Sequence, residues 1–304
     1  MMLTKSEINT NNITPKKKNK KQAKIVNTTL VYIGLIIASM LVILPFLIIF
    51  ITSFKTVGDA SSYDFTIIGE QDGISFQGYI KAFEYKDFNT GMPILLVGFF
   101  NTMLTSVVPT LSSLFLSALA AFAFAKINFK FSKLFFDILI FTMMIPGTIL
   151  IIPHYMMYES FGWIDTYAPL IVPGLWGGAS MIFFIRQFMY GIPNSLIESA
   201  KLDGLSWFGI FIRIILPLIV PALLAQGLLA FISRYNAYLG PYLYLQSENM
   251  FTLQLAVAGF KSAYAHNYPA IMSVSIITIV PILIIYAIFQ NYFVEGIATT
   301  GMKL

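Results

Sequence analysis

Long apolar runs alternate with short polar segments along this chain. The runs cover about 28–51, 96–125, 134–153, 168–190, 212–236 and 270–292. A helix of roughly 18 or more apolar residues satisfies its own backbone polar groups and can cross about 30 Å of hydrocarbon. The pattern therefore predicts an all-α integral membrane protein with about six transmembrane helices. Pro45, Pro109, Pro146, Pro173, Pro221 and Pro281 fall inside or near the runs and predict kinks, because proline removes a helical N–H.

Ahead of the first run, residues 1–27 are polar and lysine-rich, with PKKKNKKQAK at Pro15–Lys24. They lack apolar periodicity and read as a basic arm, disordered or lying on a surface. The run that follows, Thr28–Ile51, is long enough to span and has no small-residue cleavage pattern, which argues against a removed signal peptide. The chain thus divides into an arm, 1–27, and a transmembrane domain, 28–304.

Composition sharpens this picture. Apolar residues make up 57% of the 304 and charged residues 11%, with a mean hydropathy of +0.77, far from the balance of a soluble domain. The net charge of +5 comes from lysines in the first residues and one short loop, so it points to membrane orientation and not to nucleic acid. Absent cysteine excludes a disulfide frame and a thiolate metal site. His154 and His266 have no partners at metal-ligand spacing.

Charge bias also sets sidedness. Lys16, Lys17, Lys18, Lys20, Lys21 and Lys24, then Lys126, Lys130 and Lys133, then Arg186, Lys201 and Arg213 mark three cytoplasmic segments. By alternation the outside receives Asp59, Asp64, Glu70, Asp72, Glu84 and Asp87, then Glu159 and Asp165, then Glu248. Both termini fall inside.

One cytoplasmic segment, 191–217, is built unlike a simple reversal. Ser195 and Glu198 have the S-x-x-E spacing of a capping box and predict a helix start. Pro193 breaks the preceding span, Asp203-Gly204 ends the new helix, and Ser206 caps a second one that runs toward Pro217. Ser199 and Ala200 are small enough for close approach, while Leu202 and Leu205 offer apolar contact. A helix–turn–helix on the inner face is predicted.

Glu198-Ser199-Ala200, Gly204 after three residues, and Ile214-Ile215-Leu216-Pro217 after nine more closely resemble the EAA loop of bacterial ABC importer permeases. Ser199 replaces the first Ala, a small-for-small change. Thr142–Pro173 is similar to the third and fourth spans of the carbohydrate-uptake, maltose-type subfamily. Phe231–Leu245 resembles its fifth-span end, with Tyr235 where Trp is usual, and Phe289–Leu304 its closing segment, with Met302 and Leu304 departing from small residues.

The resemblance implies a type I ABC importer permease fold and a heterodimer with a second permease subunit. It also implies two ATP-binding subunits beneath, an extracellular solute-binding protein, and a carbohydrate substrate. ATP and Mg would belong to the partner ATPase, since no G-x-x-x-x-G-K-[ST] loop is present; the chain is expected to hold no cofactor and catalyse nothing. Glu198, Ser199, Ala200 and Gly204 would dock on the ATPase, with Leu216 and Pro217 at the junction to the membrane. Gly296–Leu304 either reaches the ATPase pair or frays; the sequence leaves both open.

Polar residues within spans are functional candidates. Gln226, Arg234, Tyr235 and Asn236 form a candidate substrate path, beside Asn101 and Gln290. Arg234 and Asn236 lie near the outer end of the fifth span, and snorkelling to the interface is the favoured expectation for them. Tyr238, Tyr242 and Tyr244 fit an aromatic belt better than sugar stacking. The rival function is an ion-coupled secondary sugar transporter, which needs an embedded acidic or histidine relay; Asp137, near the inner end of the third span, is its lone acidic candidate.

Overall fold

A computed structural model describes residues 17–62, 69 and 73–301, with side chains over 27–62, 69 and 73–290. The expectations on Lys16, Asp64, Glu70, Asp72, Met302 and Leu304 lie outside the described residues, as do those on the side chains of Lys17, Lys18, Lys20, Lys21 and Lys24. Every regular element among the described residues is helical, apart from two isolated bridges, Gly69 with Gly73 and Lys86 with Pro93. The chain separates into two units, residues 1–51 and 52–304.

The first unit is helix α1 (Lys17–Ser53), which starts inside the lysine-rich segment. From Asn27 to Ser53 it is apolar on all sides, with Leu30, Tyr32, Leu41 and Phe46 exposed, as a lipid-facing span requires.

The second unit contains α2 (Gln77–Glu84), α3 (Ile94–Lys126), α4 (Ser132–Met143), α5 (Ile151–Ser160), α6 (Ala168–Leu175) and α7 (Ala179–Tyr190). It continues with α8 (Asn194–Leu202), α9 (Trp207–Ile210), a π-turn at Phe211–Ile215, a turn at Leu216–Leu218, α10 (Val220–Tyr235), α11 (Leu239–Tyr244), α12 (Leu253–Ala263) and α13 (Tyr268–Gly301).

Three of the six expected spans are each one continuous helix, α1, α3 and α13, with a proline inside (Pro45, Pro109, Pro281). The others are interrupted. The third, expected over 134–153, turns by 82° between Ser132–Met143 and Gly147–Ser160, and the fifth, expected over 212–236, turns by 78° between Trp207–Leu218 and Val220–Tyr235. The fourth parts at Trp176–Gly178. Pro146 stands at the first break, and Pro217 and Pro221 flank the second at Ile219, so donors are missing on both sides of the bend.

Helix α3 is the axis of this unit, and α6, α7, α10 and α12 all pack on it. The reason is a buried stripe of small residues, Gly98, Thr102, Thr105, Ser106, Ser113, Ser117 and Ala121, that lets neighbouring backbones close in. A Cβ on Gly177, in the break of the fourth span, would stand 2.7 Å from Ser117 Oγ. Residues flanking the stripe donate: Ser112 Oγ bonds the Leu175 carbonyl at 2.8 Å, and Asn101 Nδ2 bonds the carbonyls of Asn249 and Phe251 at 3.0 and 2.9 Å. Two apolar cores lie along α3, one around Ala118, Phe122, Ile185 and Phe211, the other around Leu95, Tyr235, Leu253 and Phe260.

Toward the Ile94 end, Asp165, at φ 58°, clasps the segment after α11. Its carboxylate accepts from the Ser247 hydroxyl and from the amides of Ser247 (2.9 Å) and Gln246 (2.8 Å). The Ser247 hydroxyl first, then these amides, hold its carboxyl below the ordinary carboxylate range. Burial, and secondarily the Asp165 charge, push the Tyr167 phenol up to about 12.

Two outcomes are expected. Because the Asp165 pKa is lowered on folding, its clasp contributes fully above the ordinary carboxylate value of about 3.9 and is lost only as pH falls through the lower folded value. Amide exchange at Gln246 and Ser247, corrected for intrinsic rate, should stay flat from neutral pH down to about 4; loss of protection nearer pH 6 would contradict it. Second, Gly177→Ala should destabilise by about 1–3 kcal/mol in detergent unfolding, and Ser117→Ala, which removes a buried hydroxyl that has no partner among the described residues, should relieve part of that.

Candidate functional site

The segment after α7 forms the expected helical hairpin. Helix α8 ends in a Schellman closure: Leu205 N bonds the Ala200 carbonyl and Gly204 N the Lys201 carbonyl, both at 3.0 Å. That closure needs a left-handed residue, and Gly204 has φ +82°. Ser206 caps α9, its Oγ accepting from Gly209 N at 3.2 Å. The start of α8 differs from expectation. It begins at Asn194 with Pro193 in the cap position, and no side chain caps it, so Ser195 and Glu198 do not form a capping box. Proline's fixed φ sets the entry instead, with the cap two residues earlier.

The hairpin has two faces. Ile197 and Ala200 are buried in the core formed by Phe122, Met189, Ile210, Phe211 and Ile215. Glu198 and Ser199 are exposed, and Leu202 is 90% exposed, an apolar side chain held in the open. On the second arm, Leu216 is half-buried and Pro217 exposed, just ahead of the 78° bend.

Three cations brace this region, and one of them, Lys126, ties the hairpin to the bundle. Lys126 Nζ, at the end of α3, donates to the Ile192 carbonyl (2.6 Å) and Asn194 Oδ1 (2.9 Å). Lys201 Nζ lies 3.7 Å from the Trp207 ring centroid, joining the two arms. The Arg186 guanidinium stacks on Phe136 at 3.7 Å and on Tyr190 at 4.6 Å, and its Nε bonds the Phe124 carbonyl at 3.3 Å. In the sequence Lys126 and Arg186 counted only as markers of sidedness; nothing in their spacing signals a structural pin.

The candidate substrate-path residues do not converge on one cavity. Tyr235 is buried against α13, its hydroxyl donating to the Thr278 carbonyl at 2.9 Å. Asn236 is exposed and accepts from Gln254 Nε2 at 3.2 Å. Gln226 is half-buried on α10, beside Gly227, which lines a groove of about 260 Å³ with Thr110, Leu114 and Phe231. Arg234 does not snorkel. Its Nη1 donates to Thr110 Oγ1 at 3.2 Å, halfway along α3, and its Nη2 reaches the Gly174 carbonyl at 3.5 Å. The break at Trp176–Gly178 leaves carbonyls in need of donors, and that need turns the side chain inward.

Residues 113–299, more than half of the chain, match the family described as the inner membrane component of binding-protein-dependent transport systems, and the chain belongs to that family of ABC transporter permeases. Among curated proteins it is 30% identical to an arabinooligosaccharide transport system permease protein of Halalkalibacterium halodurans over 93% of this chain and 99% of the other. It is 28% identical to a polygalacturonan/rhamnogalacturonan transport system permease protein of Bacillus subtilis, over 90% and 97%. A bacterial ABC transporter of the acidic polysaccharide alginate shares the fold, with a TM-score of 0.74 at 24% identity over 91% of this chain and 98% of that one. Membership in this family sets the ion-coupled alternative aside.

Removing the Lys126 pin tests how the hairpin is held. Lys126→Met should weaken local protection of 192–205 by about 1–2 kcal/mol, or about tenfold in amide exchange, with protection of α12 unchanged. Unaltered exchange at the hairpin would show the pin to be idle.

Proposed function

We propose that this chain is one permease subunit of an ATP-driven importer that carries a carbohydrate, sugar or oligosaccharide, across the bacterial cytoplasmic membrane. It acts with a second permease subunit, two ATP-binding subunits and an extracellular solute-binding protein, with both of its termini in the cytoplasm. ATP and Mg are bound by the ATPase. The carbohydrate assignment draws support from relatives named for arabinooligosaccharide and polygalacturonan/rhamnogalacturonan transport.

The observation that carries the coupling role is the two-faced hairpin. Glu198, Ser199, Ala200 and Gly204 form an element stiffened by its Schellman closure, keyed into the bundle by Ile197 and Ala200, and exposing Glu198, Ser199 and Leu202 to a partner. Ala200 packs in one core with Phe211, Ile215 and Phe122, so a displacement of α8 bears on α3, α7 and the arm ending at Leu216 and Pro217. Close-packed interiors transmit strain instead of absorbing it. ATP binding shifts the permease between inward and outward states through its differential affinity for the two docked arrangements.

Gly204 gives the test. A Cβ there would meet nothing within 4 Å, so any penalty is conformational and not steric. Gly204→Val forces a β-branched residue to positive φ, at about 1–3 kcal/mol, and should leave ATP hydrolysis running without labelled-sugar uptake. Gly204→Asn, which tolerates that backbone, should restore most uptake. Equal, wild-type uptake in both variants would refute the coupling role.

A further inference from the structure

Arg234 has an unusual position. It is half-buried at the end of α10, pointing to the midpoint of α3, and among the described residues no carboxylate lies within ion-pairing reach of it. A guanidinium does not deprotonate in a protein, and a charge in a membrane-spanning bundle without a counter-ion is costly. Its five N–H donors meet two neutral acceptors, Thr110 Oγ1 and the Gly174 carbonyl, which leaves donors and a full positive charge over. Were the side chain present only to satisfy the break in the fourth span, a neutral donor would serve, as Ser112 does for the adjacent Leu175 carbonyl.

Thr110, which accepts from the fork, also lines the groove of about 260 Å³. Ser106, one turn along α3 from Thr110, is buried, and among the described residues its hydroxyl has no partner. Four residues beyond Arg234, Tyr238 stacks on Tyr242, with centroids 5.6 Å apart and exposures of 44% and 58%. A charged fork followed by accessible aromatic rings suits a sugar ring bearing a carboxylate, because a planar guanidinium pairs with a carboxylate through two parallel hydrogen bonds.

We propose that Arg234 takes the carboxylate of an acidic sugar unit, so that the carbohydrate carried is a uronate-containing, anionic one. This rests on the reading of the chain as a carbohydrate-importer permease and adds the charge of its cargo.

The test uses the complete transporter in nanodiscs. Di- and trimers of galacturonate and of mannuronate are titrated against their methyl esters, which keep the ring and lose the charge, with neutral arabino- and malto-oligosaccharides as a third arm. Binding is read by thermophoresis and by the tryptophan fluorescence of Trp176, two residues from Gly174. Wild type should bind at least one acid about tenfold more tightly than its ester, with the preference shrinking as salt is raised. Arg234→Gln should abolish that preference, so that acid and ester bind alike. Arg234→Lys, which keeps the charge and loses the fork, should retain part of it and keeps the test alive if the Gln variant does not assemble. Equal affinity for acid and ester, or a preference unchanged in both variants, overturns the proposal. Tight binding of neutral sugars alone overturns it and leaves carbohydrate import standing. Binding of none of the three arms overturns both.

Discussion

A carbonyl freed inside hydrocarbon has to find a donor within the protein, and the second unit is arranged around that requirement. Three spans are interrupted, and the carbonyls at the break in the fourth are met by Ser112 of α3 and Arg234 of α10. The small hydroxyl-bearing stripe of α3 serves twice: it lets neighbouring backbones lie close, and with the residues flanking it donates to them or, as Thr105 does to Asn101 at 2.9 Å, to its own helix. Without that stripe the broken spans would expose unpaired backbone, and the angular geometry that carries the hairpin could not exist in a membrane.

At the Lys126 end of α3 the same helix supports a different structure. The hairpin is rigid because its closures are local, a left-handed glycine and a serine cap, while its attachment is tertiary, through Ile197, Ala200 and the Lys126 pin. Local closure keeps α8 a single body; tertiary attachment makes the bundle follow it. Leu202 is held at the surface by that local closure, 90% exposed.

How much of this was legible in the sequence follows from the range of each interaction. Apolar runs located the long helices, since length and hydropathy are local, and Pro146 and Pro221 marked kinks in the third and fifth, but not that these would bend by as much as 82° and 78°. Proline position alone does not decide that; what decides is whether neighbouring helices re-satisfy the carbonyls, which is a tertiary matter. Gly204 and Ser206 were readable because a left-handed C-cap and an N-cap have fixed residue preferences. Ser195 and Glu198 misled because Pro193 takes the cap position, which puts Ser195 inside the first turn and not at the cap that a capping box requires. Arg234 was misplaced for a like reason: a long side chain near a helix end usually reaches water, and only the break at Trp176–Gly178, carried by another span, draws it inward.

The π-turn at Phe211–Ile215 bears on how this hairpin is spaced. Leu216 N bonds the Phe211 carbonyl, five residues back, so the turn winds one residue more than an α-turn would for nearly the same advance. The nine residues separating Gly204 from Ile214 therefore include a member that adds little length. Its effect is angular: it rotates everything after it by roughly the 100° that one residue subtends, resetting which side of Leu216–Leu218 looks at the core before the chain swings into α10. The separation between knob and bend thus works as a dial setting more than as a ruler.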